Sequence, residues 1–100
     1  MNTTEKRRGL LVTCDPVGRV GGVCECRIHE HSDGSLCVDT AWPLLGSSNC
    51  LIIYDGSDVV IPCRVMRRSS SSSQDKFQTY LEPIEGQKSI YDAATLRSLT

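Results

Sequence analysis

The sequence predicts an all-β protein, a small six-stranded antiparallel barrel with a short C-terminal helix. Three observations lead there. Apolar and polar residues alternate over residues 23–29 and again over 36–40, with Asp33-Gly34 between the runs. Period-two alternation marks strands with one buried face, and Asp-Gly between two such runs marks a hairpin. Further short apolar runs recur along the chain, separated by Gly, Pro and Asp, the residues that turn a backbone. Closing six such strands into a barrel limits exposed edges.

Each element follows in order. Residues 1–8 read as a flexible basic arm ending in Lys6-Arg7-Arg8. Residues 9–14 form a first strand, and Asp15-Pro16-Val17-Gly18 a turn. Gly21-Gly22 opens the second strand, which turns Cys24, Cys26 and Ile28 to one face and Val23, Glu25, Arg27 and His29 to the other. In the third, Leu36 and Val38 take the inner face and leave Cys37 outward with Ser35 and Asp39. Residues 41–49 are a loop, with Trp42 held extended by Pro43.

The run from Cys50 to Tyr54 is apolar throughout, so this strand is buried on both faces. Asp55-Gly56 turns into a strand over 58–64, with Val59, Ile61, Cys63 and Val65 inward and Asp58, Val60, Pro62 and Arg64 outward. Pro62 lacks an N–H for the ladder, which predicts an edge or a bulge. Residues 67–76 include five serines, Ser69 to Ser73, and read as a flexible loop. Residues 77–82 make the last strand. Ser89 fits a helix N-cap with Asp92 in the first turn, and residues 90–99 a helix offering Ile90, Ala93 or Ala94, and Leu96 or Leu99 for docking. The chain thus divides into an arm (1–8), a barrel (9–88) and a helix (89–100).

One hundred residues make one domain, and a net charge of −1 argues for no strongly charged partner such as nucleic acid. Five scattered aromatic residues also give no platform for single-stranded nucleic acid. No apolar run reaches transmembrane length, and Leu10-Leu11-Val12 is too short for a signal-peptide core. These features predict a cytoplasmic protein without membrane contact. Its six cysteines are then free thiols that act mostly as small core residues. Cys37, on the outer face, is the candidate reactive thiol.

Cys24-x-Cys26-x-x-His29-x-His31 contains four zinc-type ligands in eight residues. Strand parity sends the cysteines and histidines to opposite faces, so no metal site is predicted. The same parity prevents a Cys-His pair from sharing a proton. No nucleophile elbow and no phosphate loop leading into a helix is present, so no catalytic residue or cofactor is predicted. What remains is an anion site. Arg7 and Arg8 border the first strand, Arg19 lies in the first turn, and Arg64, Arg67 and Arg68 close the fifth strand. Arginine forks suit phosphate and stack on bases. Glu30, Ser32, Gly34 and Ser35 form the neighbouring turn.

With these residues in view, positions 7–85 resemble a PilZ domain, a bacterial six-stranded barrel often followed by a helix. The likeness rests on the basic arm and on Ile28 to Val38, where the family has a strand, a D-x-S-x-x-G turn and a strand. It also rests on Pro43-Leu44-Leu45-Gly46 and on the run from Ile61 to Arg67. Many members bind cyclic di-GMP. The resemblance therefore implies a signalling domain in which Arg7 and Arg8 grip phosphate and stack on guanine, while Ser32 and the turn around Glu30, Gly34 and Ser35 contact the rest of the ligand. The family's arm has arginines four apart, whereas Arg7 and Arg8 are adjacent. Glu30 stands at the turn's Asp, and Ser35 at its Gly. A second implication stays open beside the first: a PilZ-like module that binds no nucleotide and engages a protein partner through Val60, Pro62 and Cys37 or through the helix.

Overall fold

A computed structural model describes residues 6–15, 17, 19–41, 49–70 and 77–99. Its elements are β1 (Arg7–Cys14), β2 (Val20–Glu30), β3 (Leu36–Thr40), β4 (Asn49–Tyr54), β5 (Ile61–Ser70), β6 (Phe77–Pro83) and α1 (Ala93–Arg97). All neighbouring strands are antiparallel, and the sheet closes in the order β1-β2-β3-β6-β5-β4. The fold class is the predicted one. The arm before Lys6, the loop over 42–48 and its Trp42, Pro16 and Gly18 of the first turn, and the serines beyond Ser70 lie outside the described residues.

Alternation along the strands builds two apolar layers. Leu11, Cys26, Ile28, Leu36, Val38, Ile52, Cys63 and Leu81 fill the barrel, joined by Cys50 and Tyr54. Val12, Leu51 and Ile53 point the other way, where Ala93 and Leu96 of α1 cover them. This explains the uninterrupted apolar sequence of β4, which has the barrel core on one side and the helix on the other. It also places Leu10, Val12 and Cys14 on the outer face beneath α1, while Leu11 takes the interior.

Several boundaries differ from the sequence expectation. Arg7 and Arg8 are not arm residues. They pair in β1 with Ile28 and Arg27 of β2. The fifth strand starts at Ile61, so Val59 is exposed, while Val60 packs against the helix layer. Residues 57–60 lie outside the ladder, and Arg97 of α1 binds the chain where it enters this stretch. Its guanidinium donates to the carbonyls of Tyr54 (3.1 Å) and Ser57. β5 then runs on through Arg67 to Ser70, where a loop was expected, because β6 pairs with it as far as Phe77.

The strand carries its bulge between Val65 and Arg67. Pro62 instead stands opposite Leu51 inside the closed barrel, and its carbonyl accepts from Ile84 N–H at 2.9 Å. The helix is shorter than predicted and begins after a different cap. Asp92 accepts from Thr95 N–H at 2.8 Å, whereas Ser89 closes a local turn with Tyr91 N–H. Ile90 and Leu99 stay exposed, and Ala93 and Leu96 do the docking. Among the described residues no helix is long and apolar enough to cross a membrane.

Candidate functional site

The outer surface of the barrel carries two rows of polar side chains that wrap around it from β1 through β2 and β3 to β6 and, in the second row, to β5. Register puts Arg8 opposite Arg27, Arg27 opposite Asp39, and Asp39 opposite Gln78. The next row on the same face runs His29, Cys37, Tyr80 and Arg67. Like charges set directly across an antiparallel pair repel. Arg8 and Arg27 are such a pair, with Asp39 on the other side of Arg27. Both arginines line a cleft of about 230 Å³ with Glu25, Asp39 and Thr40.

Asp39 is the unusual member of this cleft. It is only 8% exposed, its Oδ2 accepts from Lys6 Nζ at 2.6 Å, and its Oδ1 has no hydrogen-bond partner among the described residues. A buried acceptor left without a donor costs about 1–3 kcal/mol, so this oxygen is held in place against a penalty. In the second row the Arg67 guanidinium lies 4.5 Å above the Tyr80 ring, and the His31 ring stacks on Tyr80 at 6.2 Å. His29 and His31 approach to 5.0 Å.

The predicted site residues are not all brought together. Adjacent positions on a strand face opposite ways, so Arg7 and Arg8 cannot grip one ligand from one side. Arg7 turns to the barrel mouth, 4.4 Å over the Tyr54 ring and 4.0 Å from Glu30 Oε2. Tyr54 O–H donates to the same Glu30 oxygen at 2.5 Å. Burial and that hydrogen bond together push the Tyr54 phenol well above its ordinary value. Glu30 thus serves the mouth of the barrel and not the turn.

The turn satisfies itself. Ser35 donates to Asp33 Oδ1 through its amide at 2.9 Å and its hydroxyl at 2.6 Å, and these bonds hold the Asp33 carboxyl below its usual value. His31 N–H and Gly34 N–H donate to the carbonyls of Ser35 and His31. Gly34 takes φ +92°, a conformation that favours glycine. Ser32 is exposed at the tip.

The thiols divide as parity requires. Cys24 and Cys26 pack on the interior while His29 and His31 meet outside, and no group of three or more ligands that could hold a metal occurs among the described residues. Burial pushes Cys26 and Cys63 up to about 12, and raises Cys50 still further. Cys37 faces outward as predicted but is buried, and desolvation, then Asp39, raises its pKa. Both effects disfavour the thiolate at this outward position.

Arg27, Asp39 and Tyr80 were not among the sequence-derived candidates. Parity alone puts Arg27 and Asp39 on outer faces. Their convergence with Arg8 depends on which strands are neighbours, and no local motif encodes that. The chain matches no family model, no curated protein and no solved structure.

Proposed function

We propose that this barrel is a PilZ-like signalling domain that binds cyclic di-GMP at the outer cleft of β1-β2-β3. The Arg8–Arg27 pair carries the reading. Two arginines in cross-strand register that line one cleft offer two guanidiniums to a phosphate. The Arg67–Tyr80–His31 stack supports it, since rings beside a guanidinium suit a base. Tyr80 pairs with Cys37 of β3, the strand that carries Asp39, so a base on this ring adjoins the cleft through β3. Arg7 is a mouth residue in this reading, not a ligand contact.

Calorimetric titration with cyclic di-GMP, against GMP as control, tests the proposal. Micromolar or tighter binding is expected, weakened roughly tenfold or more by Arg8→Ala or Arg27→Ala, as loss of a charge-assisted bond requires. Absence of binding, or binding indifferent to both substitutions, would refute it.

The partner-binding alternative has support at the helix, the second of its two expected places, more than at the first, where Val60 packs partly buried against the helix layer and Cys37 is buried. Val17 and Ile90, 79% and 87% exposed, flank a separate 300 Å³ cavity near the helix. Exposed apolar side chains clustered at an opening suit a protein contact. Strict monomer behaviour with no protein recovered by the domain would count against this alternative.

A further inference from the structure

We infer that Asp39 reads the base of the ligand, its carboxylate accepting the N1–H and N2–H donors of guanine. The inference deepens the cyclic-dinucleotide reading and rests on it. Its basis is the one buried side-chain polar atom among the described residues that lacks a partner, Oδ1 of Asp39, a residue that lines the cleft with Arg8 and Arg27. A carboxylate has only acceptors to offer, so what completes it must be a donor.

The arginines beside it do not supply that donor. Lys6 satisfies Oδ2 alone, from a side chain that is 44% exposed and free to turn outward. An incoming phosphate draws the Lys6 ammonium to itself and uncovers the carboxylate edge. Both oxygens then face the ligand. Guanine presents two adjacent N–H donors on its Watson–Crick edge, which match two carboxylate oxygens. Adenine presents an acceptor nitrogen at the central position and is repelled. Hypoxanthine keeps N1–H and lacks the amine. A site built around a hydrogen bond rejects an analogue that cannot make it, because the buried group is then left unpaired.

Equilibrium titrations with cyclic di-GMP, cyclic di-IMP and cyclic di-AMP test this on the unmodified protein. The expected order is cyclic di-GMP first, cyclic di-IMP roughly tenfold weaker, and cyclic di-AMP weaker by roughly a hundredfold or more. Asp39→Asn should collapse the preference for cyclic di-GMP over cyclic di-AMP. Equal affinity for the three ligands would overturn the role of Asp39 while leaving the nucleotide site standing. So would an unchanged ratio in a folded Asp39→Asn protein. Failure of all three ligands to bind would overturn the nucleotide site itself, and the role of Asp39 with it. The wild-type ligand ratio decides the question even if the variant fails to fold.

Discussion

Gly9→Ala is the sharpest test of the barrel's closure. Gly9 sits in β1 between Cys26 of β2 and Tyr54 of β4. A Cβ there would lie 2.5 Å from the Ile53 carbonyl oxygen and 2.6 Å from Ile28 Cδ1. The isoleucine tip can rotate aside. The carbonyl belongs to the β4 backbone, so relief requires β1 and β4 to separate where the barrel closes. Overpacking of this kind costs about 1–3 kcal/mol, and a backbone obstacle puts the cost toward the upper end. Alanine returns about 0.4–1 kcal/mol by restricting the unfolded chain. The net loss is roughly 1–2 kcal/mol, which for a domain of this size lowers Tm by roughly 4–16 °C. Thermal unfolding followed by circular dichroism measures it. Gly22→Ala is the control, because its nearest neighbour, Thr13 Oγ1, stands at an ordinary 3.5 Å. A Gly9→Ala protein as stable as wild type, or the two variants behaving alike, would refute the account of close strand approach.

Two further outcomes follow from the packing. Leu96→Ala should cost about 2–5 kcal/mol in urea unfolding, since Leu96 is fully buried and a five-residue helix holds no structure without its docking contact. A loss well under 1 kcal/mol would mean that α1 does not cover β4. Stability should also be insensitive to the thiols up to about pH 9 and fall as pH rises toward 12. Cys26 and Cys63 hold their protons up to about 12 in the folded state, against an ordinary 9.0, so the unfolded chain releases them first. Thiol labelling at pH 8 should accordingly reach half-buried Cys14 and Cys24 before Cys26, Cys50 and Cys63. Uniform labelling rates would contradict the interior placement.

Much of this molecule can be read along the chain. Alternation at Cys24, Cys26 and Ile28 assigns their face without knowledge of any neighbour, because a strand's side chains have period two. The run from Cys50 to Tyr54 announces a strand covered twice. Asp33-Gly34 marks its turn, since the local chemistry of the turn needs nothing beyond itself. Differences arise mostly where distant residues meet a local signal: Arg97 binds the carbonyls of Tyr54 and Ser57 before β5, and β6 extends β5 into the serine tract. The cap is a local difference, Asp92 in place of Ser89.

The candidate site divides along the same line. The sequence by itself determined that strands would form, which face of most would be apolar, and where the β2–β3 turn lies. Only the tertiary structure decided that Arg7 leaves for Tyr54 and Glu30, that Arg27 and Asp39 join Arg8, and that an outward Cys37 is nonetheless buried. The physical reason is that side-chain direction is a property of one strand. Convergence on a face is a property of strand order and register, which closure of the whole barrel sets.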